Sequence, residues 1–207
     1  TFDARENQGA VGRIVARLRL TGPSLSASGA VPGAGVEFFV LSSGVYPAGH
    51  ERSFDRFGGL SPHQDRGTGG INVSTLVPGY GPVLEHLPRR TEVGRLGGLL
   101  GHDAVLTRAT MDGLDLLVLE IPELYDRAGG PYIDGAGRDH PDNWLRFAVF
   151  SLAGARIALG ELRAVQTDIV HVHDWQTALV PVYLRYAFRS SLPVVCTVHN
   201  LAFQGQF

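Results

Sequence analysis

His171, His173 and Asp174 stand in the run DIVHVHDWQTALVPVYL, residues 168–184, directly after a short β-type stretch and directly before a helix-type one. Side chains two apart on a strand point to the same face, so both imidazoles could reach one ion. Metal-dependent hydrolases with H-x-H-x-D-H use that spacing. Here the aspartate follows the second histidine at once, and the second half of such a motif is absent. A metal site is therefore the least supported reading. A packed strand end is another: His171 falls inside the apolar run and reads as a buried histidine hydrogen-bonded to backbone. His173 falls at the exit of the strand, where a side chain can enter a cleft, and reads as a ligand contact.

Polar residues also cluster at the ends of other β-type runs: Ser42 and Ser43, Pro78-Gly79-Tyr80, and His199-Asn200. In a doubly wound sheet, ligands bind outside the carboxyl ends of the strands, and helix starts nearby offer free N–H groups to phosphate. The arrangement suits a phosphorylated or nucleotide-linked substrate, a property shared by many unrelated α/β enzymes.

The elements that must position these residues follow from hydrophobic pattern. Short β-branched or aromatic apolar runs predict strands at 36–43, 71–78, 114–122, 168–173 and 193–199. Residues 104–111 are expected to pair with 114–122 as a hairpin through Asp112-Gly113. Residues 142–163 are apolar nearly all round and predict a largely buried helix, with Asp142 placed to cap its start. A second helix is expected over 175–188. Apolar strands separated by helices indicate an α/β fold with a Rossmann-like parallel sheet covered on both faces. Residues 48–70, AGHERSFDRFGGLSPHQDRGTGG, break the rhythm, because a parallel pair needs a crossover and this composition is a poor helix.

Bulk properties narrow the partners. The chain has 207 residues, enough for one well-cored domain or slightly more. A net charge of −2 gives no electrostatic basis for nucleic-acid binding. No apolar run reaches the roughly 20 residues that span a bilayer. The single cysteine, Cys196, excludes an internal disulfide and fits a reducing compartment. The basic, amphipathic VGRIVARLRL at 11–20 precedes a Ser/Gly/Ala-rich stretch. A transit peptide is one reading and a poorly ordered leader over 1–35 the favoured one.

The run DIVHVHDWQTALVPVYL followed by VVCTVHNLAFQGQF resembles bacterial glycogen synthases and plant starch synthases, the ADP-glucose enzymes of glycosyltransferase family 5. VEFFVLSSGVYP, VSTLVPGY, IPELYDRAGGPY and DNWLRF resemble further family segments, so the likeness covers roughly 36–47 and 73–207. It implies the N-terminal half of a GT-B fold over 36–207, with the second domain absent and little or no transferase activity by the fragment alone. It implies transfer of glucose from ADP-glucose to the non-reducing end of an α-1,4-glucan, with retention, needing no metal or other cofactor. It implies that His173 and Asp142 lie against the donor glucose, with His199, Asn200, Gln204 and Gly205 on the cleft wall. Asp174 and Trp175 are expected to orient and pack the loop, and the bacterial cytoplasm is the expected compartment. One departure stands out: the family's K-T-G-G-L-type loop has no clear counterpart, only a faint echo at Arg56, Gly58, Gly59 and Leu60. A local frame shift or an unusual loop accounts for that stretch, and a non-catalytic or degenerate glucan-binding fragment is the alternative function.

Overall fold

In the computed structural model, residues 36–41, 71–111 and 114–198 are described. Their strands are β1 (Val36–Leu41), β2 (Ile71–Pro78), β3 (Thr91–Leu99), β4 (His102–Met111), β5 (Leu114–Glu120), β6 (Ile169–His173) and β7 (Val194–Thr197). They form one sheet in the order β3-β4-β5-β2-β1-β6-β7. The five strands from β5 to β7 in that order run parallel, as their continuously apolar sequences predict. The expected hairpin is present as the antiparallel β4–β5 pair, closing at Met111 opposite Leu114.

β3 is the strand that pattern reading missed. Its sequence, TEVGRLGGL, is glycine-rich and mostly exposed, and it pairs with β4 through two register shifts. Its pairing comes from the neighbouring strand rather than from its own propensity, which is how edge strands commonly form. The antiparallel β3 and β4 thus extend an otherwise parallel sheet at one edge.

The helices are α1 (Gly81–His86), α2 (Pro122–Tyr125), α3 (Asn143–Ala158) and α4 (Leu179–Val182). α3 is buried along most of its length, as its all-round apolar sequence requires. It ends earlier than expected because Gly160 adopts φ +84°, and its N–H bonds back to Ile157 O at 2.8 Å. Gly154 lets α3 press onto the sheet, since a Cβ there would overlap Cδ2 of Leu41. The helix expected over 175–188 is fractured into a 3₁₀ turn (Trp175–Thr177), α4 and a π turn (Tyr183–Ala187). Pro181, inside α4, has no N–H to give Thr177 four residues before it, which accounts for the interruption between the 3₁₀ turn and α4.

The core holds a cation. Arg146, on the first turns of α3, is 1% exposed. Its Nε donates to Leu124 O at 2.7 Å, and Nη1 donates to Pro131 O at 2.9 Å and to Asn143 Oδ1 at 2.7 Å. The guanidinium lies within about 6 Å of the ring centres of Tyr80, Tyr125 and Phe147. Burial lowers its pKa, and the facing rings and carbonyls hold the charge in place. Tyr125 completes the knot by donating its hydroxyl to Arg146 O at 2.9 Å. The hydroxyl of Tyr80 is buried with no hydrogen-bond partner among the described residues, and burial pushes its pKa up.

β6 ends in a strained turn. Asp174 has φ 55° and ψ −170°, a region that suits glycine and little else. Its N–H is tied to Thr197 O of β7 at 2.8 Å. The hydroxyl of Thr177, fully buried, accepts from His173 N–H and donates to His173 C=O, both at 2.7 Å. The turn is thereby folded back over the strand end.

Three stability measurements by urea unfolding check this packing. Arg146→Met leaves three acceptors without a donor and is expected to lower stability by about 3 kcal/mol. Tyr80→Phe removes a desolvated hydroxyl and is expected to leave stability unchanged or raise it by about 1 kcal/mol. At position 174, glycine and alanine both delete the carboxylate, but only glycine relaxes the backbone. Asp174→Gly is expected to exceed Asp174→Ala by about 1–2 kcal/mol, and equal midpoints would contradict the strain.

Candidate functional site

The parallel strands end in line. Leu41 is in register with Leu76 and Val172, Pro78 with Leu119, and His173 with Thr197. The residues that follow β2, β5 and β6 therefore emerge along one edge of the sheet. β1 is central: β2 and β5 lie on one side of it, β6 and β7 on the other. The winding reverses between β1 and β6, and in open α/β sheets the crevice at such a reversal is where ligands bind. His173 is the last residue of β6 and stands at that reversal.

The two histidines do not share the environments expected of them. His173 was expected in a cleft; it is 8% exposed, and its backbone N–H and C=O are both bonded by the Thr177 hydroxyl. His171 was expected to be buried and bonded to backbone. It is only partly buried, and its Nε2 shares a 2.8 Å hydrogen bond with Thr197 Oγ1 on the neighbouring strand. The shared strand face has the predicted consequence: the two rings lie 4.3 Å apart at a 34° tilt. Among the described residues, no group of three or more His, Cys, Asp or Glu side chains could hold one metal ion.

Asp142 occupies the N-cap position of α3, yet its side chain makes no capping bond. Its carboxylate turns instead to Arg127. Nη1 donates to Oδ1 at 2.9 Å and Nη2 lies 2.7 Å from Oδ2, a two-point pairing. Burial alone would raise the Asp142 pKa, but the Arg127 bonds and charge outweigh it and hold the carboxyl below its ordinary value. The backbone carbonyl of Asp142 accepts from Arg146 N–H at 3.0 Å, opening the helix.

The loop from 126 to 142 is fixed by its own hydrogen bonds. His140 N–H donates to Tyr132 O at 3.0 Å, Asn143 Nδ2 donates to the same carbonyl at 2.8 Å, and Gly130 N–H donates to Ile133 O at 2.8 Å. α3 then carries this order across to the histidine strand. Phe147 meets Trp175 edge-to-face at 5.0 Å, and Ser151 Oγ donates to Gln176 O at 3.3 Å. Asp142 and the turn after His173 are thus attached to one helix, and Trp175 has the packing role expected of it.

His199, Asn200, Gln204 and Gly205 lie outside the described residues, as do the leader at 1–35 and the irregular 48–70 stretch. Three residues that matter to the site were not picked out from sequence: Arg127, Arg146 and Thr177. One of them carried a periodic signal: Arg146 is four residues after Asp142, the spacing of one helical turn, whereas Thr177 follows a strand residue across the turn at Asp174. Arg127 is 15 residues from its partner and carried none.

Comparison with known proteins identifies the family. The profile of the starch synthase catalytic domain matches residues 62–207, which takes in Asp142 and His173. The chain is 52% identical over 152 residues to the glycogen synthase of Rhizobium rhizogenes (strain K84), covering 72% of this chain and 30% of that protein. It is 55% identical over 149 residues to glycogen synthase 1 of Rhizobium meliloti (strain 1021), covering 72% and 30% respectively. The chain thus spans about 30% of the length of these curated relatives. Its fold matches the catalytic domain of starch synthase IV from Arabidopsis thaliana, solved bound to ADP and acarbose. The TM-score is 0.57 at 23% identity, over 83% of this chain and 35% of that one. That likeness shows an α/β architecture of GT-B type. With the family profile matched over most of its length, the chain belongs to the starch synthase catalytic domain family.

Proposed function

We propose that this chain forms the N-terminal, Rossmann-like part of a glycogen synthase. The reaction transfers glucose from ADP-glucose to the non-reducing end of an α-1,4-glucan, with retention of configuration. The observation that carries the reading is the family match across 62–207, a span that takes in Asp142 and His173. The relatives' names and the ADP and acarbose in the starch synthase IV structure support a nucleotide-sugar donor and a glucan acceptor.

In this reading His173 and Asp142 contact the donor glucose. Loss of the nucleoside diphosphate leaves oxocarbenium-like positive charge at the sugar's reacting carbon. A carboxylate held ionised, as at Asp142, and carbonyl dipoles aimed at that carbon stabilise it. His173 is fixed by the Thr177 bonds on its backbone and by packing, so little ordering remains when substrate arrives. The cleft-wall roles of His199, Asn200, Gln204 and Gly205 are part of the same proposal. No helix among the described residues is long and apolar enough to cross a membrane, and the reading carries with it a cytoplasmic setting.

A chimera tests it. Residues 62–207 replace the matching segment of the Rhizobium meliloti synthase, and transfer of labelled glucose from ADP-glucose into glycogen is followed. The chimera is expected to elongate glycogen. His173→Ala and Asp142→Asn are each expected to lower kcat/KM by about 100-fold or more, with thermal melts near the parent's. A folded but inert chimera, or variants as active as the parent, overturns the reading.

A further inference from the structure

We infer that Arg127 is a positioning residue for the donor-sugar contact, acting through Asp142. The inference rests on the proposed glucosyl transfer and deepens it. Its ground is geometric. Arg127 reaches Asp142 with two nitrogens on two oxygens, at 2.9 and 2.7 Å. A third nitrogen, Nε, is anchored on Glu123 O of α2 at 2.6 Å. Two-point pairing fixes both the plane and the direction of the carboxylate, which a single charge does not.

The pairing also leaves Asp142 able to work. A carboxylate has about four acceptor positions, and Arg127 occupies two of them. The Asp142 side chain keeps 28% of its surface exposed, so acceptor capacity remains toward solvent. A helix-capping role would have spent that capacity on α3, and no such bond is made. The charged groups facing Asp142 are Arg127, from the loop after α2, and Arg146, one turn into α3. Arg146 is committed to Leu124 O, Pro131 O and Asn143 Oδ1. Of the two, Arg127 alone bonds the carboxylate directly.

The fold therefore places a guanidinium from one family segment, the LYDR at 124–127, on a carboxylate from another, the DNWLRF at 142–147. An ionised carboxylate of fixed direction is what a sugar hydroxyl can donate to. Without Arg127 the group would protonate at higher pH and swing freely.

The test uses the chain as it is, with carbon-labelled aspartate, for NMR titration of Asp142, and the full-length chimera described above for binding, with ADP-glucose as the probe. In Arg127→Met the Asp142 carboxyl is expected to titrate at higher pH than in the parent. ADP-glucose binding is expected to weaken about tenfold, and its loss on acidification to move to higher pH. Arg127→Lys keeps the charge but not the two-point geometry, and is expected to recover the titration in part and the affinity less. A purely structural role would change affinity without moving the acid limb. Unchanged titration in both variants, or unchanged ADP-glucose binding at neutral pH, overturns the inference. Failure of the unmodified chimera to bind ADP-glucose would sink the proposed function instead, while the titration still decides whether Arg127 orders Asp142.

Discussion

The guanidinium of Arg146, taken out of water at the start of α3, is the constraint around which this end of the molecule is arranged. A buried charge is tolerable only when its donors are met and its surroundings are polarisable. Both conditions recruit distant chain. The donors draw in Leu124 and Pro131, which sets the path of the loop leaving β5. The rings of Tyr80, Tyr125 and Phe147 surround the cation and come from three different segments. Asp142 and Arg127 then stand at the rim of that cluster, where a carboxylate is stabilised by two nearby positive charges.

The sheet supplies the other half of the site by topology. β1 is flanked by β2 on one side and β6 on the other, and in open α/β sheets such a reversal of strand order is where ligands bind, at the carboxyl edge. The turn after β6 is under strain at Asp174, and strain persists only where surrounding structure over-determines it. Here the restraints are visible: the Asp174 N–H on Thr197, the Thr177 hydroxyl on His173, and Trp175 against Phe147. A sharp exit from the strand keeps His173 at the sheet end while turning the following chain back toward α3.

Much of this was legible in the sequence, and the misses have physical causes. The parallel strands announced themselves because burial on both faces demands unbroken apolar runs. β3 did not, because an edge strand takes its conformation from pairing rather than from composition. α3 was visible from its all-round apolarity, but Gly160 ended it sooner than hydrophobicity alone implied. The helix after His173 was read as continuous, and it is broken into a 3₁₀ turn, α4 and a π turn. Motif resemblance singled out His173 and Asp142 as candidates, whereas their burial and partners were not legible. Nothing in a sequence says that Asp142 will prefer Arg127 to the helix N-terminus beside it, because that preference depends on the folded loop between them.

That preference bears on how such a site divides its labour. An N-cap aspartate would stabilise α3 by about 1 kcal/mol through its bond to a backbone N–H. Here the carboxylate faces Arg127, and α3 is secured by Arg146 and by burial instead. The helix therefore does not need Asp142 for its own stability, and the carboxylate is left with acceptor positions directed outward. Separating the structural cation, Arg146, from the cation that aims the carboxylate, Arg127, lets one be fully desolvated while the other stays near solvent. Two guanidiniums thus face one carboxylate, and only one of them bonds it.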